Sequence, residues 1–329
     1  MRKVLHVGPC DAPGGMATVI RTLADHPPEG WKAERLSSHA QGSVWAKWRA
    51  YRRARRMLVQ RCTNEVDRPD IVHFHAAADW SWRRKQRLAH LVHARGIPVI
   101  MHLHSGKFDR WLTSQSPKKR SQIRDFLLQD GVQCVVLIEG WRVALQPLIG
   151  STTVVPNPVH PAPTSSNGRD HEHLLVLGRA DPVKGHAFAE RLVFELRKQR
   201  PSLTLTLTGN ERTDTEGVHA LGWVSEEKKQ QLLHAASLLL VPSGYEGQPM
   251  VMLEALACGL PVCVSDRLLD VPDTVGVAAY GDLEDWKKKV DALLDQPPTA
   301  EAIEAAAAPH HVEVVTALWK AHYEALIKP

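Results

Sequence analysis

The sequence YEGQPMVMLEALACGLPVCV, residues 245–264, carries the strongest information about the fold of this chain. Pro249 suits the first turn of a helix, because its missing N–H costs nothing there. Gly259 suits the position just past the helix end, and the apolar run after it has the pattern of a short buried strand. Glu246 is therefore predicted on the loop that enters the helix, and Glu254 about one turn inside it.

Two acidic side chains beside a helix start suit one kind of ligand. The free N–H groups of that helix start can hold a phosphate or a sugar hydroxyl. The carboxylates of Glu246 and Glu254 accept hydrogen bonds from hydroxyl groups, so the ligand would be part phosphate and part polyol. An amphipathic helix with two solvated glutamates has the same spacing, and the spacing alone leaves both interpretations open.

The same segment resembles the Glu-x7-Glu signature of retaining glycosyltransferases of family 4, which have the GT-B fold. The resemblance implies an enzyme that transfers a sugar from a nucleotide diphosphate sugar and retains the anomeric configuration. The residues that match the signature as one run are Glu246, Gly247, Pro249, Glu254, Ala255, Ala257, Gly259, Pro261 and Val262.

The whole chain shows two series of alternating strand and helix patterns, separated by a linker composition at residues 156–170. We therefore predict an α/β fold of GT-B type, with two Rossmann-like, doubly wound parallel-sheet domains that face a cleft. Strands are predicted at 4–7, 71–74, 99–103, 135–138, 154–156, 174–177, 203–208, 238–241 and 262–265. Helices are predicted at 16–24, 47–61, 83–95, 117–128, 184–199, 225–236, 249–258, 284–294 and 312–326.

The length of 329 residues suits two domains of about 150 residues each. The resemblance implies that residues 1–160 form the acceptor-binding domain and that residues 168–308 bind the nucleotide sugar. Residues 309–329 are expected to form a helix that crosses back to the first domain, as in similar proteins.

The composition is that of an ordinary globular protein, with 43% hydrophobic and 23% charged residues. No apolar run approaches the roughly 18 residues of a membrane span. The N-terminus enters a strand pattern without the core of a signal peptide, so we expect a cytoplasmic protein. The five cysteines form no C-x-x-C pair, which favours free thiols over a disulfide framework.

The net charge of +5 conceals an asymmetry between the two halves. Residues 1–160 hold 25 Lys and Arg against 12 Asp and Glu, a net charge of +13, and the remainder has a net charge of −8. A strongly basic half indicates a polyanionic partner, either an anionic membrane surface or a nucleic acid.

Cations are densest in residues 47–61, where they occupy seven of fifteen positions. Interleaved Trp48, Tyr51, Met57 and Leu58 predict a basic amphipathic helix that docks on an anionic membrane, although a solvated surface helix has the same composition. We expect peripheral association with the inner face of the cell membrane, strengthened by the basic runs at 83–85 and 118–120. The predicted membrane patch consists of Arg52, Arg53, Arg55 and Arg56.

The run Gly178-Arg179-Ala-Asp-Pro-Val-Lys184-Gly185 follows the first predicted strand of the second half. Two cations around one turn can point at a single diphosphate, or they can both be solvated. The run resembles the G-R-x-x-x-x-K-G segment of the same family. The resemblance implies that Arg179 and Lys184 stabilise the charge of the leaving diphosphate, so no metal ion is expected.

Gly14 and Gly15 follow the first strand, where glycines allow a ligand to approach the backbone closely. An ordinary turn is the alternative, and the spacing does not fit G-x-G-x-x-G. The segment resembles the Gly-Gly loop of the family, which reaches the donor phosphate and the acceptor.

Two His-x-His pairs, 73/75 and 102/104, each place two histidines on one face of a strand. Pairs on neighbouring strands suggest zinc, but no carboxylate or thiolate ligand is evident near them, so we expect no metal. By resemblance, His104 contacts the donor sugar, while His73 and His75 support that wall structurally.

The resemblance also assigns the rest of the donor site. It implies that Glu254 binds the ribose hydroxyls, that Val224 lies near the base, and that Glu246 holds sugar hydroxyls. The adjoining donor-binding residues would be Gly247, Gln248, Pro249 and Met250. Gln248 departs from the aromatic or aliphatic residue that is frequent there, which leaves the fit of the sugar open.

We therefore expect a metal-independent retaining enzyme that moves a hexose from a UDP- or GDP-sugar to a hydroxyl of a glycan or lipid-linked glycan, in surface polysaccharide or glycolipid synthesis. No side chain must act as a general base in this mechanism, and Glu246 as a nucleophile stays open. A sugar-nucleotide epimerase of the same architecture is one alternative. A basic nucleic-acid-binding protein is another, but no aromatic stacking module is visible, so no nucleic acid partner is expected.

Overall fold

The computed structural model describes residues 1–162, 169–170, 172–212 and 215–327. The chain divides into two units: unit 1 is Met1–Pro158 with Val312–Pro329, and unit 2 is Val159–His311. Residues 163–168 of the predicted linker lie outside the described residues.

Unit 1 begins with six strands and six helices. The strands are β1 (Arg2–Gly8), β2 (Trp31–Ser37), β3 (Ile71–Ala76), β4 (Val99–Leu103), β5 (Val132–Val136) and β6 (Thr153–Val154). The helices are α1 (Gly15–Asp25), α2 (Val44–Thr63), α3 (Trp80–His93), α4 (Phe108–Thr113), α5 (Pro117–Leu127) and α6 (Glu139–Ile149).

The strands of unit 1 form one parallel sheet in the order β2-β1-β3-β4-β5-β6. The strand order reverses at β1 and β3. Open α/β sheets bind ligands beyond the carboxyl ends of the strands at such a reversal, called the switch point. The switch point of unit 1 therefore lies beyond the ends of β1 and β3.

Unit 2 repeats the pattern with a different strand order. Its strands are β7 (His173–Val176), β8 (Thr204–Leu207), β9 (Val218–Ala220), β10 (Leu238–Val241), β11 (Val262–Ser265) and β12 (Gly276–Ala278). Its helices are α7 (His186–Leu196), α8 (Glu226–Ala235), α9 (Met250–Ala257), α10 (Leu283–Asp295) and α11 (Ala300–Ala307). The parallel sheet has the order β12-β11-β10-β7-β8-β9, so its switch point lies beyond the ends of β7 and β10.

The last helix, α12 (Val312–Ile327), belongs to unit 1. Its Trp319 and Tyr323 are completely buried there. The sequence placed the second domain at 168–308, whereas unit 2 extends from Val159 to His311. The Val159 N–H donates to the His310 carbonyl at 2.7 Å, which ties the start of the predicted linker to the end of unit 2.

The central strands explain why the sequence reveals the fold class. Every residue of β4 and of β10 is buried, because helices cover both faces of a parallel sheet and select continuous apolar runs. The predicted strands at 99–103, 238–241 and 262–265 are confirmed. The α/β class, with two parallel sheets and flanking helices, is confirmed as well.

The sequence patterns did not predict the edge strands β2, β9 and β12. The strand β2 reads WKAERLS and buries only its first and sixth residues, while β9 and β12 have three residues each. Such short or polar edges lack the apolar run that marks a buried strand. Helices α4, α6 and α11 were also missed.

Several predicted boundaries differ from the structure by one to three residues, and two of them concern a helix cap. The strand predicted at 135–138 is β5, which ends at Val136, because Ile138 is the N-cap of α6. Pro249 is the N-cap of α9 and not a residue of its first turn.

Candidate active site

The switch point of unit 2 joins two motifs that are 62 residues apart. Lys184 closes a 3-10 turn, Pro182–Lys184, after β7, and Glu246 lies on the loop after β10. The Lys184 Nζ donates to the Glu246 Oε1 at 2.5 Å. The predicted cation and carboxylate therefore meet directly, as an ion pair.

The backbone holds this pair in place. The Gly244 N–H donates to the Val183 carbonyl at 2.8 Å and ties the two loops together. Gly185 has a φ of +74°, and a Cβ there would lie 2.6 Å from the Pro242 carbonyl oxygen. Only glycine allows the loops to approach this closely.

Arg179 lies on the same loop but is exposed. It forms no ion pair with any residue that the structure describes. The structure therefore brings Lys184 to Glu246 and leaves Arg179 on the surface, so a clamp made by Arg179 and Lys184 stays a prediction.

Glu254 occupies the second turn of α9 and is 8% exposed. Its Oε1 accepts a hydrogen bond from the Lys229 Nζ at 2.7 Å, and Lys229 also contacts Glu226. Its Oε2 is buried without a hydrogen-bond partner among the described residues. Burial also raises the pKa of Glu254. A buried polar atom such as this Oε2 normally has a hydrogen-bond partner, so a ligand donor would satisfy it.

The other predicted donor-binding residues lie at the same edge of the unit 2 sheet. Gly247, Gln248 and Pro249 lead from Glu246 into α9, which starts at Met250. Half-buried Val224 precedes α8. The Gly222 N–H donates to the Asn210 carbonyl at 2.7 Å, which ties the loop of Val224 to the end of β8.

At the switch point of unit 1, Gly14 and Gly15 are exposed. Gly14 is the N-cap of α1 with a φ of +124°, and α1 begins at Gly15 without a side-chain cap. The N–H groups of this helix start are therefore not engaged by a capping side chain.

The strands of unit 1 also bring five histidines together, here called the histidine ladder: His6, His73, His75, His102 and His104. Four are fully buried, and His104, just after β4, is partly exposed. His6 pairs with His73 in register between β1 and β3, and the sequence analysis missed it. The sequence does show a further histidine, His6, in the first predicted strand, and this could have indicated the larger cluster.

The ladder consists of two hydrogen-bonded chains. In one, the Nδ1 of His6 pairs with the Nε2 of His75 at 3.0 Å, and the Nδ1 of His75 pairs with the Nε2 of His104 at 3.0 Å. In the other, the Tyr323 hydroxyl pairs with the Nδ1 of His73 at 2.9 Å. The Nε2 of His73 then pairs with the Nδ1 of His102 at 3.1 Å.

Burial keeps the ladder neutral. It lowers the pKa of His6 to about 3, with a further contribution from Arg35, and that of His104 to about 3, with a further contribution from Lys85. It lowers the pKa of His73, His75 and His102 well below the usual value.

Ladder nitrogens also form two trios within 4.8 Å, around His73 and around His102, and His75 belongs to both. The sequence pattern alone reveals the two His-x-His pairs but not these groups of three. The absence of a metal therefore stays a prediction, and the hydrogen bonds within the ladder give these nitrogens another use.

The basic run at 83–85 was expected to strengthen membrane association, but Lys85 of that run is buried and cannot contribute. The side chain is 1% exposed, and its Nζ donates to the Ser81 Oγ at 3.3 Å. No carboxylate of the described residues pairs with it. Burial, with a contribution from Arg84, lowers the pKa of Lys85 to about 7.

The predicted membrane patch is partly corrected. Arg52, Arg53, Arg55 and Arg56 are exposed on α2, as expected. Tyr51, Met57 and Leu58, however, pack against the core of unit 1 and offer no apolar face to a membrane. The exposed apolar groups are instead Trp45 and Trp48, 69% and 46% exposed, at the start of α2.

No helix in the described part of the chain is long and apolar enough to cross a bilayer. All five cysteines are buried and free.

Residues 171–296, which contain the predicted unit 2 site, match the family described as Glycosyl transferases group 1. The glycogen synthase of Mycobacterium tuberculosis (strain CDC 1551 / Oshkosh) is 24% identical over 269 residues, 73% of this chain and 63% of that protein. A phosphatidyl-myo-inositol mannosyltransferase of Propionibacterium freudenreichii subsp. shermanii is 30% identical over 146 residues, 43% of this chain and 35% of that protein. The chain thus spans less than two thirds of the length of these curated relatives.

The sucrose-phosphate synthase of Thermosynechococcus elongatus has the same fold, with a TM-score of 0.76 at 16% identity over 99% of both chains. The chain therefore has the GT-B fold, and its residues 171–296 are similar to the Glycosyl transferases group 1 family. The family match and the named relatives relate the chain to glycosyltransferases by similarity alone. Membership of family 4 stays a prediction.

Proposed function

We propose that this GT-B protein is a metal-independent retaining hexosyltransferase that uses a UDP- or GDP-sugar. The observation that carries the proposal is the Lys184–Glu246 pair at the switch point of unit 2. This pair places a cation and a hydroxyl-binding carboxylate together where open α/β sheets bind their ligands. The acceptor would be a hydroxyl of a glycan or lipid-linked glycan, as expected for surface polysaccharide or glycolipid synthesis.

Donor binding would exchange partners within this pair. The diphosphate takes Lys184 and recruits exposed Arg179, because a doubly charged phosphate competes well with one carboxylate. Glu246 is then released to accept hydrogen bonds from sugar hydroxyls. The two fixed cations stabilise the leaving diphosphate without a metal ion.

The remaining contacts in this proposal are those that the resemblance to family 4 implies. The buried Oε2 of Glu254 accepts a ribose hydroxyl, and Val224 packs near the base. His104 contacts the donor sugar, and Gly14 and Gly15 offer backbone N–H groups to the phosphate or the acceptor. Gly247, Gln248, Pro249 and Met250 line the start of α9 and hold the sugar.

A thermal-shift screen of nucleoside diphosphates and their sugars tests the donor, because a ligand that binds only the folded state raises the melting temperature. Stabilisation by UDP or GDP, lost in Lys184→Ala and kept in Lys198→Ala, supports the site. Lys198 is a matched control because it is an ion-paired lysine of the same unit. Conversion of a nucleotide sugar without an acceptor would identify an epimerase instead.

We also propose that α2 docks unit 1 on the anionic inner face of the cell membrane. Exposed Trp45 and Trp48 suit the interfacial region of a bilayer, and Arg52 lies 4.8 Å over the ring of Trp48. Each cation near the surface contributes about 1 kcal/mol, weakened by salt. One curated relative is a phosphatidyl-myo-inositol mannosyltransferase, which agrees with a lipid-linked acceptor.

Vesicle co-sedimentation tests this docking. The wild type should bind anionic but not zwitterionic vesicles and should dissociate at high salt. Replacing Arg52, Arg53, Arg55 and Arg56 with Glu should abolish binding, and equal binding to both vesicle types would indicate a soluble acceptor.

A further inference from the structure

The chain His104–His75–His6 runs from a partly exposed ring into the core of unit 1. We propose that His75 and His6 are positioning residues that fix the tautomer of His104, and with it the hydrogen-bonding character of the Nδ1 that His104 presents to the donor sugar. This inference rests on the proposed contact between His104 and that sugar.

The hydrogen bonds leave His104 only one free ring nitrogen. Its Nε2 is bound to the Nδ1 of His75, and the Nε2 of His75 is bound to the Nδ1 of His6, each at 3.0 Å. His75 and His6 are almost completely buried, so water does not compete for these bonds. A ligand can therefore meet His104 only through its Nδ1.

Counting protons leaves two arrangements. Each neutral ring carries one ring proton, and each bond between two rings uses one proton. If the Nδ1 of His6 donates to His75, then His75 donates to the Nε2 of His104, and the Nδ1 of His104 carries a proton. If the order is reversed, the proton of His6 lies on its Nε2, and the Nδ1 of His104 is an acceptor.

The protons of the three rings are thus coupled. The Nδ1 of His104 can donate only if the Nδ1 of His6, two rings away, also donates. The relay transfers no proton to the substrate and only sets the orientation of the protons, as a carboxylate or carbonyl does for a metal-binding or catalytic histidine. A sugar hydroxyl then meets a ring whose polarity is set together with the proton positions of His75 and His6.

The second chain of the ladder provides a matched control. His73 is as buried as His75 and stacks on it, with ring centroids 4.3 Å apart and planes 9° apart. His73, however, connects Tyr323 to His102, whose Nε2 is buried without a partner among the described residues. Removing His73 removes a buried ring from the same stack, and its contacts with Trp319 and Tyr323, but does not interrupt the path to His104.

The test compares His75→Phe and His73→Phe in the full chain. Both should lose similar stability, whereas only His75→Phe should lower kcat about 10- to 100-fold, the size of other orienting interactions. The affinity for the nucleoside diphosphate should not change. His75→Asn, which keeps one hydrogen bond towards His104, should recover part of kcat.

Nitrogen-15 NMR of the histidine rings gives a readout that packing alone does not move and that needs no activity. The wild type should show a single tautomer for His104, and both His75→Phe and the milder His6→Gln should produce a mixture of tautomers. Wild-type spectra alone suffice if a variant fails to fold, because a mixture at His104 in the wild type contradicts the relay.

Three further results would overturn the relay. They are an equal kcat loss in His73→Phe and His75→Phe, an unchanged His104 tautomer in His75→Phe, and one zinc ion per chain bound by the ladder nitrogens. If no donor or acceptor supports transfer but the NMR result holds, the proposed function fails while the tautomer control of His104 stands.

Discussion

The two switch points of this protein both lie at the carboxyl ends of a six-stranded parallel sheet, but one is charged and the other is neutral. In unit 2, the cations Lys184 and Lys229 each pair with a carboxylate, Glu246 and Glu254. In unit 1, strands β1, β3 and β4 carry neutral histidines, and Lys85 is buried without a carboxylate partner among the described residues. Unit 2 is thus suited to exchanging charged partners, and unit 1 to presenting directional hydrogen bonds of fixed polarity.

The largest expected difference between the units is their response to acid. The folded-state pKa values of the ladder histidines lie below the unfolded value of about 6.5, so the unfolded state binds more protons below that pH. Stability is therefore fully present above pH 6.5 and is lost as the pH falls towards 3. Because several histidines share this direction of shift, their contributions to the loss of stability act together.

Hydrogen-exchange mass spectrometry between pH 7.5 and 5 checks this prediction, once the exchange rates are corrected for the pH dependence of intrinsic amide exchange. Peptides from β3 and β4 should lose protection before those from β10 and β11, because His186 is the only histidine classed as buried among the described residues of unit 2. Simultaneous loss in both units, or earlier loss in unit 2, would contradict the electrostatic contrast.

The next largest effect concerns the charged switch point. Lys184→Ala should reduce turnover about 10²- to 10³-fold, as for other preorganised groups that stabilise a leaving group. Steady-state kinetics should show little change for Lys198→Ala, which removes an exposed, ion-paired lysine two residues after the end of α7. Near-normal activity of a folded Lys184→Ala protein would mean that the diphosphate binds elsewhere.

The buried lysine of unit 1 gives a stability test. Burial lowers the pKa of Lys85 to about 7, so its ammonium destabilises the fold fully below pH 7, and the penalty disappears as the pH rises towards the unfolded value. Lys85→Met should raise the free energy of unfolding by about 1–4 kcal/mol at pH 6.5, as when other buried charges are replaced by apolar side chains. Denaturant unfolding at pH 6.5 and 9.5 checks this, and a destabilised Lys85→Met protein at both pH values would contradict it.

Both units show where sequence reasoning succeeds and where it stops. Glu246 and Lys184 were found because each lies in a short motif at a strand end, but nothing local shows that they pair. Lys229 lies in an ordinary charged run and becomes part of the site only through its contact with Glu254. Contacts between residues distant in sequence depend on the tertiary fold, which local patterns do not contain.

Two errors in unit 1 were avoidable. The buried face of α3 includes Trp82, Lys85, Ala89 and Val92, a helical spacing that marks Lys85 as internal despite its two arginine neighbours. Likewise, α2 buries Ala54, Leu58 and Cys62 at intervals of four, which directs its apolar residues to the core. In both cases composition was given more weight than periodicity.

The smallest expected effect is a change in the affinity of unit 2 for a nucleoside diphosphate. The Lys184–Glu246 pair must open when the diphosphate binds, so Glu246→Gln should remove a competitor and tighten nucleoside diphosphate binding by up to about fivefold. Turnover should fall at the same time, because the sugar loses its carboxylate contact. Isothermal titration calorimetry checks the affinity, and weaker diphosphate binding would mean that Glu246 supports the phosphate site in the wild type.

The most direct test of the central claim is an NMR analysis of the product formed from a nucleotide sugar and an acceptor in excess chelator. The account predicts one nucleoside diphosphate released per product, with the anomeric configuration of the donor retained and the rate unaffected by chelation. An inverted anomer, or a tenfold loss of rate that manganese or magnesium restores, would contradict it.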